Sequence, residues 1–291
     1  MFQKVNRFVN QFRELEKQEF SLTEEEEKRW RSLKEKLSSP TADGPNLSHY
    51  RRLIVFAGLY PRVGTSFLAS NLAYYLAGKG TPTTLCELPR TVSHYYFALD
   101  FERRAHPDPK ETTKYQLLMQ NNQLKIHVDT TFQKRNPSHV DITNWLLMVT
   151  KDSPCVVVDL SSQWDHPLAE PVLEIMDEMW MVIDGDVSRL TQLMLSQSPP
   201  PTWQSKSAKV KLLANRWSPY LSRMDNRQKV EGTLSLWDEL AEQRKLAAFV
   251  PHIDSEKVSR AQSKACLLLE MYPEECKWFE AIARTEKGRV L

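Results

Sequence analysis

From Arg51 onward the chain alternates short apolar runs with amphipathic ones, and nothing else in its 291 residues restricts the fold as much. "LIVFAG" (53–58), "TTLCEL" (83–88), "LKIHV" (124–128), "PCVVVDL" (154–160), "EMWMVID" (178–184), "KVKLLAN" (209–215) and "LAAFV" (246–250) read as strands. Between them "SFLASNLAYYLAGKG", 112–121, "HVDITNWLLMVTKD", "LAEPVLEIMD", 187–197, 233–244 and 254–270 read as helices. A strand that is apolar at nearly every position has both faces covered, and strands joined through helices run parallel. The pattern predicts an α/β domain: a mostly parallel, twisted sheet with helices on both faces.

The first fifty residues follow a different rule. In "MFQKVNRFVNQFRELEKQ", Phe2, Val5, Phe8, Val9, Phe12 and Leu15 share one helical face, with Lys4, Arg7, Arg13 and Lys17 on the others. A second helix starts near Thr23, where Thr23 and Glu26 fit a capping box, and Trp30, Leu33 and Leu37 form its apolar stripe. The predicted division is a helical extension over 1–38, a linker over 39–50 and the α/β domain over 51–291. The N-terminal face suits an anionic membrane surface, a partner's helix groove, or the chain's own domain. Because this stretch is charged throughout and lacks an apolar h-region, a secretory signal is not expected, and no apolar run nears the roughly 20 residues of a membrane span. A cytoplasmic protein is expected, free or peripheral at the inner face of the cell membrane.

Composition closes other routes. Hydrophobic residues make up 41%, enough for a core, and the 26% charged residues nearly cancel to a formal net charge of +2. Such a balance argues against a nucleic-acid partner, although Arg51, Arg52, Lys206, Lys209 and Lys211 could form a local basic patch. The four cysteines make no C-x-x-C pair and the seven histidines are scattered, so neither a disulfide framework nor a zinc site is expected. Trp164, Trp203 and Trp217 are either partner anchors or caps on the core. Trp278, Phe279 and Ile282, among basic residues, belong either to a last helix packed on the sheet or to a membrane-targeting one.

The chemistry-bearing stretch is "GLYPRVGTS", Gly58 to Ser66, between the first strand and the first helix of the domain. A phosphate-binding loop belongs there and should read G-x-x-x-x-G-K-[ST]. Its glycines turn backbone N–H groups on the phosphates, its lysine reaches the β- and γ-phosphates, and its hydroxyl holds Mg2+. Gly64 and Ser66 keep two of these positions. Leu59 stands where the first glycine belongs, Pro61 removes an N–H, and Thr65 removes the lysine. Asp159 ends a buried strand downstream, where a magnesium-coordinating carboxylate would stand.

Over residues 50–270 this order of elements resembles the ParA/MinD superfamily of ATPases with a deviant P-loop. The family pattern K-G-G-x-G-K-[ST]-[ST] aligns with Tyr60 to Phe67, and "SNLAYYLAGKG" is similar to the family helix that follows it. "SPCVVVDLSSQWDHPLAEPVLEIMDEMWMVIDGDVSRL", "LLANRW" and "FVPHIDSEKVSRAQSKA" resemble its later segments. The CpaE/TadZ and FlhG branches are similar in length and style. The resemblance implies a P-loop NTPase fold binding ATP or ADP with Mg2+, and a homodimer formed across nucleotide. It assigns the nucleotide to Arg62, Gly64, Thr65, Ser66 and Asn215, with Asn215 reading adenine. Ser66 and Asp159 would be the Mg2+ ligands, and Glu87 and Asp159 vestiges of the catalytic carboxylates.

By the same resemblance both family lysines are missing: Tyr60 replaces the one that reaches across the dimer, Thr65 replaces the phosphate lysine, and Glu87 replaces the aspartate linked to water activation. Phosphoryl transfer depends on positioned positive charge, and losing one such cation typically costs about 3 kcal/mol, roughly a hundredfold in rate. The resemblance therefore implies a degenerate site with weak or absent nucleotide binding. The expected role is a non-catalytic positioning or assembly factor that recruits protein components of an envelope machine such as a pilus, secretion or flagellar system. A slow ATPase switch using Arg62, and a DNA-partitioning adaptor, are the alternatives.

Overall fold

The computed structural model describes residues 51–89, 93–108, 111–129, 137–199, 202–203, 207–218, 224–237 and 245–284. The predicted extension and linker, with the membrane- or partner-facing Phe2, Val5, Phe8, Val9, Phe12 and Leu15, lie outside these residues, as does Lys206.

A single sheet organises the domain. Among the described residues it has nine strands, in the spatial order β3-β4-β5-β2-β6-β1-β7-β8-β9. The central strands are β1 (Arg52–Gly58), β2 (Thr83–Glu87), β6 (Cys155–Asp159) and β7 (Glu178–Ile183), with β5 (Leu124–Asp129), β8 (Val210–Trp217) and β9 (Leu246–Pro251) flanking them. All seven are parallel to their neighbours in this set. Every residue of β1, β6 and β7 is buried, as continuous runs of β-branched and large apolar side chains require when helices cover both faces.

Helix α1 (Thr65–Gly78) follows β1 and buries Leu68, Leu72, Ala73 and Leu76 against the sheet. The chain returns in β2, which skips one place because β6 inserts between β1 and β2. Strand connections leave to opposite sides around β1, and the crevice beyond the carboxyl ends of such strands is where open α/β sheets place a ligand. Phe56 of β1, Asp159 of β6 and Glu87 of β2 lie side by side in register at that rim.

Three expected helices differ from what forms. Residues 112–121 are not helical: β4 (Glu111–Met119) pairs antiparallel with β5 and with the short β3 (His106–Asp108). The reason lies in the turn. Gln120, Asn121 and Asn122 adopt φ of 52°, 53° and 66°, a left-handed run that asparagine tolerates and a helix excludes. The helix expected over 233–244 instead covers Met224–Leu234 and tightens into a 3-10 turn at Ser235–Trp237, while 238–244 lie outside the described residues. The helix expected over 254–270 breaks after Ser255–Ser263, where Ala265 turns to φ 51°, and resumes at Leu268–Met271.

The tryptophans belong to the core. Trp164, Trp203 and Trp217 are buried. Trp203 meets Trp237 edge-on at 5.4 Å, and the Trp237 indole N–H is within 3.0 Å of the carbonyls of Met194 and Gln197. Phe279 and Ile282 are fully buried too, so the last described helical turns pack on the domain. Part of the basic patch is engaged, while Arg51 is exposed. Arg52 and Lys211 both engage Glu178, at 2.5 and 3.2 Å, and Lys209 donates to the Met176 carbonyl at 2.7 Å.

Candidate functional site

The loop between β1 and α1 keeps the path of a phosphate loop and changes its contents. Gly64 sits at the N-cap of α1 with φ 91° and ψ 27°. Arg62 adopts φ 69°, so a side chain tolerates the left-handed geometry normally left to glycine. The amides of Thr65 and Ser66 open the helix, where no preceding turn supplies carbonyls for them. The start of the loop is zipped onto the sheet instead: Gly58 donates to the Ser161 carbonyl at 2.5 Å and Leu59 to that of Val182 at 2.9 Å.

Each replacement of a family lysine points inward. Thr65 is buried, and a Cβ on Gly58 would lie 2.5 Å from its Oγ1. Tyr60 is 4% exposed, and its hydroxyl donates to Asp184 Oδ1 at 2.6 Å. Burial, with the Asp184 bond adding to it, holds that phenol's pKa well above the ordinary tyrosine value. Arg189 stacks 4.3 Å from the Tyr60 ring centre and donates to the Pro61 carbonyl at 2.9 Å. Tyr60, Asp184 and Arg189 thus clamp the loop from one side. Arg62 is exposed, and among the described residues no hydrogen bond or ion pair engages its side chain.

Asn215 clamps it from the other. It closes the run of buried residues 212–215 in β8, is 4% exposed, and donates from Nδ2 to the Val63 carbonyl at 2.7 Å. The same amide lies where a Cβ on Gly64 would go, so Gly64 is required by its neighbour as well as by its φ. In this arrangement Asn215 holds the loop through the group it would need for reading a base.

The two carboxylates form the floor. Asp159 is buried, accepting from the Ser161 amide at 2.7 Å and from the Tyr95 hydroxyl at 2.9 Å. Ser66 also hydrogen-bonds to it, and the Ser66 hydroxyl lies 3.4 Å from that of Ser161. Burial raises the Asp159 pKa despite these donors. Glu87, half-buried beside it, is pushed up from 4.5 to about 7, by desolvation first and the neighbouring Asp159 second. Glu87 accepts from the His94 amide at 3.0 Å and from the Ser93 hydroxyl, so it caps α2 (His94–Ala98).

The predicted residues therefore do come together. Gly64, Thr65 and Ser66 share one turn, Asn215 touches it, and Ser66 meets Asp159, with Glu87 in register beside that strand end. Tyr95, Ser161, Asp184 and Arg189 complete the site and were not singled out from the sequence. Ser161, Asp184 and Arg189 lie inside the segment that carries the resemblance, and Tyr95 belongs to an aromatic run, "HYYF", just after the β2 rim.

The geometry fits a metal-bound triphosphate poorly. Thr65 carries no charge where the loop pattern has lysine, Pro61 offers no N–H, Asn215 is engaged by the loop, and the Asp159 carboxylate is engaged by Tyr95 and Ser161.

No protein-family profile matches the sequence, and no curated protein matches it either. Solved structures do match in fold. A ParA family ATPase from Chlorobium tepidum superposes with a TM-score of 0.55 at 14% identity, over 80% of this chain and all (100%) of that one. MinD of Aquifex aeolicus in complex with MinC gives 0.57 at 13%, over 82% and 97%. The septum site-determining protein MinD of Pyrococcus horikoshii, solved with Mg-ADP, gives 0.56 at 13%, over 79% and 93%. The class is thus set by architecture: this is a P-loop NTPase α/β fold of the ParA/MinD type. The likeness at these identities is one of fold.

Proposed function

We propose that this chain is a non-catalytic positioning or assembly factor built on the ParA/MinD fold, working through protein contacts at a cell-envelope machine such as a pilus, secretion or flagellar system. One observation carries the reading: the residues at both lysine positions, Tyr60 and Thr65, are buried and committed to the fold. A transition state whose charge grows on phosphate oxygens finds no ammonium group there to stabilise it. The fold neighbour solved with MinC supports a protein partner. Attachment at the inner face of the cell membrane would fall to the N-terminal face of Phe2, Phe8 and Phe12. Nucleotide binding, if retained, is weak and rests on the amides of Thr65 and Ser66.

The test is phosphate release at saturating MgATP, with and without anionic vesicles. No release above buffer is expected. Steady turnover abolished by R62A would instead establish a slow ATPase switch, the second reading, which the exposed Arg62 favours. The DNA-adaptor reading is the weaker one: Arg52 and Lys211 share the Glu178 carboxylate, which leaves Arg51 and Lys209 as the exposed cations of that patch among the described residues.

A further inference from the structure

A missing cation is one way to disable a phosphate site, and the fold has added a second. The ring of Tyr95 is 2% exposed and lies over the rim of β6. Its hydroxyl donates to Asp159 Oδ2 at 2.9 Å and lies 3.2 Å from the Ser66 carbonyl oxygen. These are the two residues that would have to face a metal ion.

The segment carrying Tyr95 is anchored at several points. Glu87 takes the Ser93 hydroxyl and the His94 amide at its start. Leu99 and Phe101 are buried at its end, and the Tyr96 hydroxyl donates to Glu102 at 2.6 Å. Only the outward face is open, where Phe97 is 65% exposed. A segment held by a carboxylate cap at its start and by buried side chains at its end is a packed element rather than a passing conformation.

We propose that Ser93–Phe101 is a built-in plug of the crevice, so that a Mg2+–diphosphate group can reach Ser66 and Asp159 only after Tyr95 withdraws. The proposal rests on the functional reading above, in placing the nucleotide position at this rim. It goes further by assigning the closure to the chain's own side chain rather than to the lost lysine alone. A ligand that must wait for a minor open state binds more weakly by the fraction of molecules that are open.

Isothermal titration of the full chain with MgADP tests this, comparing wild type with Y95A. If the plug holds, Y95A binds at least about tenfold more tightly, since a closed state favoured tenfold lowers apparent affinity tenfold. Affinities within about twofold of each other, or no binding by either protein, overturn the plug. Should Y95A fail to fold, Y95F keeps the ring and removes the hydroxyl. Its prediction is amide exchange at least about tenfold faster at Leu99, whose N–H donates to the Tyr95 carbonyl at 3.1 Å, and an unchanged rate also overturns the plug. The two readings fail separately: steady phosphate release by wild type removes the non-catalytic function, while equal ADP affinities remove only the plug.

Discussion

At the scale of single residues, the site is decided by where side chains put their polar atoms. Gly64 shows this most sharply. Its φ of 91° disfavours any side chain, and a Cβ there would displace the Asn215 amide from the Val63 carbonyl. The backbone strain costs about 1–2 kcal/mol and the lost buried hydrogen bond a comparable amount. G64A should therefore destabilise the domain by about 3 kcal/mol in urea unfolding, with the m-value unchanged. Glu87 makes a different prediction. Its folded pKa near 7 exceeds its ordinary 4.5, so the folded state holds a proton that the unfolded chain releases between these values. Stability from this group is full below pH 4.5 and is lost as pH rises through 7. The urea midpoint should fall from pH 5 to pH 8, and E87Q should flatten most of that slope. Some slope remains in E87Q, because Asp159 is shifted in the same direction. A pH dependence of the midpoint that is the same in E87Q as in wild type would show that Glu87 ionises as freely in the fold as in the unfolded chain.

At the scale of elements, the legible parts were those whose two faces carry one message. β1, β6 and β7 are apolar at nearly every position, and all three form within a residue or two of where the sequence puts them. The loop, the hydroxyl of Ser66 and the strand-end Asp159 were legible for the same reason, since adjacent elements dictate their place. β4 was not, because its apolar residues mimic a helical spacing, and only the left-handed Gln120–Asn122 turn shows that the chain must double back. Tyr95 was hidden because its partner Asp159 is 64 residues away, a pairing that exists only after the sheet forms. The same non-local logic governs Arg52. It ties β1 to Glu178 of β7 and to the carbonyl of Ala283 in the last helical turn, Glu280–Ala283. R52L would leave Glu178 with Lys211 and the Trp180 indole N–H, in a site where the carboxylate is only 9% exposed. Breaking a buried pair from one side costs about 3–5 kcal/mol, whereas replacing both partners by apolar residues is often neutral. R52L should lose about 3 kcal/mol in urea unfolding, and R52L/E178L should recover most of it. A double variant as unstable as R52L would assign the loss to the Ala283 contact or to the two partners that E178L strips, Lys211 and the Trp180 indole.

At the scale of the whole molecule, the question is what the face around the loop can still join. In the resemblance drawn from the sequence, two copies meet across nucleotide, and each sends a lysine into the other's site from the position that Tyr60 holds here. Tyr60 cannot make that reach while its hydroxyl is bonded to Asp184 and Arg189 covers its ring. A ligand shifts an equilibrium only by its differential affinity for the two states. With no side chain crossing to the phosphates, ATP has little to distinguish a dimer from two monomers, and association should not depend on it. Light scattering behind size exclusion should give the same mass for the full chain with no nucleotide, with MgADP and with MgATP, across a dilution series. Y60F, which removes the bond to Asp184 but adds no cation, should leave that indifference intact. A mass that doubles only with MgATP would mean that another cation has taken over the crossing role. Arg62, exposed at the tip of the loop, is the first residue to replace in that event, and loss of the ATP-dependent mass in R62A would assign the role to it.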